Sequence, residues 1–96
     1  MEIGKIQSKQ GKIDVSGEII SKDAPREFEK FGKIGKVCNA VLKDKSGKIT
    51  LTLWNEEVDS VNVGDKVKIS NGYCGEYQGE KQLSAGKFGK LEIIEE

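Results

Sequence analysis

One stretch constrains this chain more than any other: Ser46-Gly47-Lys48-Ile49-Thr50-Leu51-Thr52-Leu53-Trp54-Asn55. After the Ser-Gly turn signal, Ile49, Leu51 and Leu53 fall on one side and Thr50, Thr52 and Trp54 on the other. A period of two marks a β-strand with one buried and one solvated face. The aliphatic side belongs to a core, so the protein's only tryptophan is assigned to the wet side. An indole among threonines on an open sheet face calls for a partner.

The residues before this strand continue the pattern. Up to about Lys9 the chain reads as a lead-in, with Ile3 and Ile6 packing on the edge of the domain. Residues 12–22 form a first strand in which Ile13, Val15 and Ile19 share a parity. Gly17 in its middle predicts a bulge or a sharp bend. Residues 23–33 read as a loop holding the single proline, Pro25, with Arg26, Phe28, Lys30, Phe31 and Lys33. Its two phenylalanines are read as anchors that fold the loop onto the core, ahead of exposed platforms, because lone apolar residues in loops are ordinary. Residues 35–43 form a second strand with Cys38, Ala40 and Leu42 on one side, and the Asp44-Lys45-Ser46-Gly47 turn leads into the third.

Beyond Trp54, Asn55 is placed to N-cap a short helix with Glu56 and Glu57 in its first turn and Val58 and Val61 on its apolar face. A fourth strand follows over 66–74. Parity alone would send Tyr73 inward with Val67 and Ile69, unless a bulge at Asn71-Gly72 flips it; that bulge is the expectation. Tyr77 lies in the next loop, a fifth strand runs about 81–85, and a short last strand, 90–94, closes the sheet. Five principal strands, bent at glycines, with a helix between the third and fourth, predict an all-β OB-fold, the five-stranded Greek-key barrel.

Composition narrows the chemistry. Lys plus Arg and Asp plus Glu number 16 each, so global charge favours no partner. The acids cluster, however, in Glu56, Glu57 and Asp59 and in Glu92, Glu95 and Glu96; outside those six, ten acids face sixteen bases. A locally positive surface can exist on a neutral protein. No apolar run is long enough to span a bilayer and no signal-like segment opens the chain, so cytoplasmic residence without membrane partners is the expectation. Histidine is absent, and Cys38 and Cys74 stand in no paired motif, which predicts two free thiols and neither metal nor cofactor. No phosphate loop or dinucleotide fingerprint occurs, and no histidine base stands beside a nucleophile, so a binding protein is expected rather than an enzyme. Gly32-Lys33-Ile34-Gly35 and Gly86-Lys87-Phe88-Gly89 match the GxxG of KH domains, but both run into strand patterns instead of helices.

What remains is the aromatic set. If Trp54, Tyr73 and Tyr77 share one groove, they suit unpaired bases, whose π faces stack on aromatic rings with little regard to sequence. Lysines and Arg26 at its rim would neutralise phosphates. The alternative is that the tyrosines pack in the core or against the loop.

The stretches Ala40-Val41-Leu42-Lys43-Asp44-Lys45-Ser46-Gly47, Ile49 to Asn55 and Val63-Gly64-Asp65-Lys66-Val67-Lys68-Ile69-Ser70-Asn71-Gly72-Tyr73 resemble one OB-fold type. It is that of archaeal replication protein A and the simple single-stranded DNA-binding proteins of archaea and animals. Pro25-Arg26-Glu27-Phe28 is similar to the first-loop motif of the archaeal members. The resemblance covers roughly residues 11–94 of a single domain spanning 1–96; whether that domain stands alone or belongs to a longer protein stays open. It implies single-stranded DNA as partner, stacking on Trp54, Tyr73 and Tyr77, and work in replication, repair or recombination. Ser84 stands where some members carry a further aromatic, leaving that platform missing or supplied by Phe31 or Phe88. Thr52, Lys33 and Lys87 are candidates for backbone contacts. Two other readings remain: an OB domain that binds protein, including other OB domains, and one that binds single-stranded RNA.

Overall fold

Alternating apolar residues become, in the computed structural model, a sheet that closes on itself. The structure describes residues 2–85 and 89–94. Lys87, Phe88, Glu95 and Glu96, which figure in the sequence reading, lie outside the described residues. A 3-10 turn, Ile3–Lys5, precedes strands β1 (Gln10–Lys22), β2 (Arg26–Lys30), β3 (Lys33–Asp44) and β4 (Gly47–Trp54). Helix α1 (Glu56–Ser60) follows, then β5 (Lys66–Tyr77), β6 (Glu80–Ser84) and β7 (Lys90–Ile94).

The strand order β1-β3-β4-β6-β5 is closed by pairing of β5 back onto β1, which makes a five-stranded barrel. All neighbours are antiparallel except β4 and β6, which meet in parallel over Thr50 opposite Gln82 and Leu51 opposite Leu83. This is the expected OB-fold arrangement, with α1 between the third and fourth barrel strands. Two strands lie outside the ring: β2 pairs only with β3, and β7 only with β5.

Closure depends on β1, which serves two neighbours. Residues 10–18 pair with β5 and residues 18–22 with β3, so Glu18 faces both Lys43 and Lys66. Gly17 sits at this change of partner, in unbroken register with β5; the irregularities of β1 fall between residues 10 and 15 and between 19 and 21, not at the glycine. A Cβ there would stand 2.6 Å from the Lys43 carbonyl oxygen, so only glycine lets the two backbones approach so closely.

Ile13, Val15, Ile19, Ala40, Leu42, Leu51, Leu53, Val67, Ile69 and Leu83 fill the barrel, each almost wholly removed from water. Ile3 and Ile6 were expected at the edge but are themselves core residues, 4 % and 1 % exposed. The turn around Asp44 holds them there: its carboxylate accepts the Ile3 N–H at 3.0 Å and the Ser46 N–H at 2.7 Å, and Ser46 Oγ accepts the Gly4 N–H at 2.9 Å. A lead-in with two isoleucines thus adds apolar area to a small core, where each buried side chain is worth about 1.5–3 kcal/mol. Val58 on α1 and Val61 just past its end are buried as their spacing requires. The Lys22 ammonium donates to the Val58 and Val61 carbonyls, binding β1 to the end of the helix.

Two further expectations about the elements need correction. Residues 23–33 are not a loop throughout: Arg26–Lys30 is a strand, joined to β3 by a tight hairpin in which Lys30 pairs with Lys33. Phe31 and Gly32 both have positive φ, 54° and 76°, the pattern of a two-residue type I′ turn. The GxxG match at 32–35 is therefore a hairpin turn running into a strand. Nor does Asn55 cap α1 with its side chain. Its Oδ1 accepts the Lys36 N–H at 3.2 Å and its N–H donates to the Lys36 carbonyl at 2.8 Å, tying the end of β4 to β3.

Candidate nucleic-acid interface

Directly paired residues of neighbouring strands share a face of the sheet. Trp54 is opposite Val37, and Val37 is opposite Arg26. Thr52 pairs with Asn39, Thr50 with Gln82, and Gln82 in turn with Gly75. Tyr73 pairs with Ser84 and Tyr77 with Glu80. One outer face, crossing β2, β3, β4, β6 and β5, therefore carries Arg26, Trp54, Thr52, Tyr73 and Tyr77 together. The core takes the opposite parity.

Tyr73 reaches this face because of the anticipated bulge. Ile13 of β1 pairs with Gly72 and Val15 with Ile69, so β5 has one residue more than β1 between the two pairs. Asn71 takes up the difference with φ 55°, and its N–H donates to Asp14 Oδ1 at 2.9 Å. Beyond it the alternation is inverted: Gly72 and Cys74 point inward and Tyr73 outward. Tyr77 is the last residue of β5 rather than part of a loop, because the Gln78-Gly79 turn is only two residues long.

The three rings are well presented, with Trp54 42 % exposed, Tyr73 49 % and Tyr77 61 %. Together with Thr52, Gln82 and Ser84 they line an open cleft of about 280 Å³. Ser84, at the position of the missing aromatic, sits opposite Tyr73 in that cleft. Thr52 forms the floor; it is buried, and its hydroxyl donates to Asn39 Oδ1 at 3.4 Å.

Trp54 is held by groups that sequence reasoning passed over. Its backbone N–H donates to Glu57 Oε1 at 3.1 Å. Burial pushes the Glu57 carboxyl above its usual range, and the Trp54 backbone N–H pulls it partly back. The ring of Phe28 meets the indole edge-on, centroids 5.7 Å apart at 84°. Phe28 is opposite Gly35, where a Cβ would come within 2.4 Å of the Phe28 ring. The glycine leaves the floor open, and the phenylalanine lies across it to reach the tryptophan. The anchor role assigned to both loop phenylalanines thus changes. Phe28 braces Trp54, whereas Phe31, at the hairpin turn, is 93 % exposed with the Lys30 ammonium 5.6 Å from its centroid. The signal available for Phe28 was a phenylalanine and a glycine, Phe28 and Gly35, at opposed hairpin positions, visible only once the hairpin is known.

The cations flank rather than line the cleft. Arg26, Lys30 and Lys33 lie on the outer face of the β2–β3 hairpin. Among the described residues no group of three or more His, Cys, Asp or Glu side chains is placed to hold a metal ion. Cys38 and Cys74 are free thiols, buried, and burial pushes both above the usual thiol range. No helix among the described residues is long and apolar enough to cross a membrane.

Residues 13–91 match the OB-fold nucleic acid binding domain family. The chain belongs to that family. This OB-fold domain is homologous to Replication factor A of Methanothermobacter thermautotrophicus, with 37 % identity over 94 % of the chain and 12 % of the relative. It is 24 % identical to the single-stranded DNA binding protein Ssb of Saccharolobus solfataricus, over 94 % of the chain and 61 % of that protein. The crystal structure of a domain of replication protein A from Methanococcus maripaludis superposes with a TM-score of 0.79 at 29 % identity, covering 99 % of this chain and 94 % of that one. The OB-fold domain thus spans about an eighth of the first relative and three fifths of the second.

Proposed function

We propose that this OB-fold domain binds single-stranded DNA without catalysis, in replication, repair or recombination, stacking bases on Trp54, Tyr73 and Tyr77. The carrying observation is the gathering of three exposed rings on one sheet face, around a single cleft, from two different strands. An apolar core would not leave such area in water, and a base presents the flat partner these rings lack. Arg26 and Lys33, on the same face at the β2–β3 hairpin, would carry the phosphate contacts, with Thr52 close to the backbone path. Lys87 remains part of the proposal from sequence alone. Kinship with Replication factor A and with Ssb supports the reading.

The single tryptophan makes the test direct. Titration with oligo-dT at low salt should quench Trp54 fluorescence; an unchanged signal sinks the proposal. Affinity should fall with salt by a log–log slope of about −0.7 per phosphate contacted. An RNA oligonucleotide of the same length that bound more tightly would move the reading to RNA.

A further inference from the structure

The β2–β3 hairpin separates its charges by face. Arg26, Phe28 and Lys30 of β2 and Lys33, Gly35 and Val37 of β3 share the face that carries Trp54, while Glu27, Glu29, Ile34 and Lys36 take the other. The stacking side of the hairpin thus holds three cations and no carboxylate. On the reverse side Lys36 lies 3.5 Å from Asp59, whereas Lys30 and Lys33 are directly opposed. Like charges in that position destabilise a sheet until an anion lies between them. At the apex stands Phe31, 93 % exposed, with φ 54°. The turn does not ask for a ring there. The β5–β6 hairpin makes the same left-handed two-residue turn with Gln78 and Gly79, and Asn, Asp and Gly are the residues that favour its first position. An aromatic residue in the left-handed region, held out in water, costs energy that folding does not recover.

Phe31 is not a fourth wall of the stacking cleft, whose lining does not include it. From Arg26, in the row of Trp54, the strand runs to Lys30 before the turn begins, roughly 14 Å at about 3.4 Å per residue. Aromatic pairs act only within about 7 Å. A strand leaving the cleft past Trp54 on this side follows the cationic face of the hairpin toward its tip. Paired bases have both faces covered by their neighbours, so they cannot lie on Trp54 or the tyrosines, and pairing has to end before the cleft. The last base pair at that boundary keeps one face open. It is flat, apolar and two bases wide, with a phosphate chain on either side. A ring on an apex complements such a face. Beside the ring stands one lysine on each strand of the hairpin, the Lys30 ammonium 5.6 Å from the Phe31 centroid.

We infer that Phe31 stacks on the terminal base pair where a bound single strand meets duplex, with Lys30 and Lys33 on the phosphates, so that the domain recognises a junction between single-stranded and double-stranded DNA. The inference rests on the single-stranded DNA reading above. In anisotropy titrations at fixed salt, a labelled oligo-dT tail is compared with the same tail joined, in either polarity, to a stable DNA hairpin. The cleft is asymmetric, so one polarity should bind about fivefold more tightly than the tail alone, the low end of a single stacking contact. Extra phosphates by themselves also attract lysines, so the ring has to be isolated. Phe31→Asn removes it, keeps both lysines and puts a favoured residue in the turn; the variant should melt no lower than the unaltered domain. It should bind the tail alone as before and lose most of the junction gain. No gain at either polarity, a gain that Phe31→Asn retains, or an equal loss on tail and junction would overturn the inference and leave the stacking reading standing. Failure of tail and junction alike to bind would remove the two together.

Discussion

Trp54 illustrates how much of a side chain's role lies in what surrounds it. Its parity exposes it, but exposure alone would leave a mobile indole. The hydrogen bond from its backbone N–H to Glu57 and the paired hydrogen bonds between Asn55 and Lys36 fix the backbone, and the edge of Phe28 meets the ring. A ring held before its ligand arrives loses less entropy on stacking. Replacing Trp54 by Ala should cost about 1–3 kcal/mol of oligonucleotide affinity, read by anisotropy of a labelled strand because the intrinsic probe is lost. Tyr73→Ala should cost a similar amount while leaving the Phe28–Trp54 pair intact.

At the scale of elements, two turns work as clamps. The β2–β3 hairpin brings Phe28 across Gly35 to Trp54, so Gly35→Ala should force the ring aside. An added Cβ 2.4 Å from Phe28 cannot be accommodated in place, and overpacking of this kind costs about 1–3 kcal/mol. The expected result is a changed Trp54 emission and weaker oligonucleotide binding, with far-ultraviolet circular dichroism retained. The second clamp is the turn after β3. Burial raises the Asp44 pKa, but hydrogen bonds from the Ile3 N–H, the Ser46 hydroxyl and N–H and the Gly47 N–H outweigh it, and the carboxyl sits below its ordinary value. The ionised form is the one the fold prefers. Its contribution is complete above the ordinary carboxylate pKa and is lost as pH falls through the lower folded value. Asp44→Ala should therefore destabilise the domain at neutral pH by about 1.5–3 kcal/mol, and denaturant melts should find that difference shrinking in acid.

For the molecule as a whole, a 96-residue chain has little core to spare, and its closed barrel leaves both thiols inside. Cys38 and Cys74 belong to different strands and are both raised in pKa by burial. Thiolate chemistry at either should require opening of the barrel. A thiol reagent should leave the native domain almost unmodified and label both cysteines in denaturant. Rapid labelling of one thiol in the native state would show that part of the barrel opens independently.

Residue order by itself determined the strand faces. The buried sets Ile49, Leu51, Leu53 and Cys38, Ala40, Leu42, the outward Trp54, the short helix with Val58 and Val61, and the β5 bulge at Asn71 all follow from local periodicity or local turn chemistry. These are short-range matters, settled by the pleat and by which residues tolerate a left-handed conformation. Tertiary structure decided what the faces meet. That Ile3 and Ile6 complete the core, that Arg26–Lys30 becomes a strand, and that Phe28 rather than Phe31 braces the tryptophan depend on contacts between distant segments. Periodicity carries no record of register between strands. The pairing of one strand with another, and the closure of β1 against both β3 and β5, supply it.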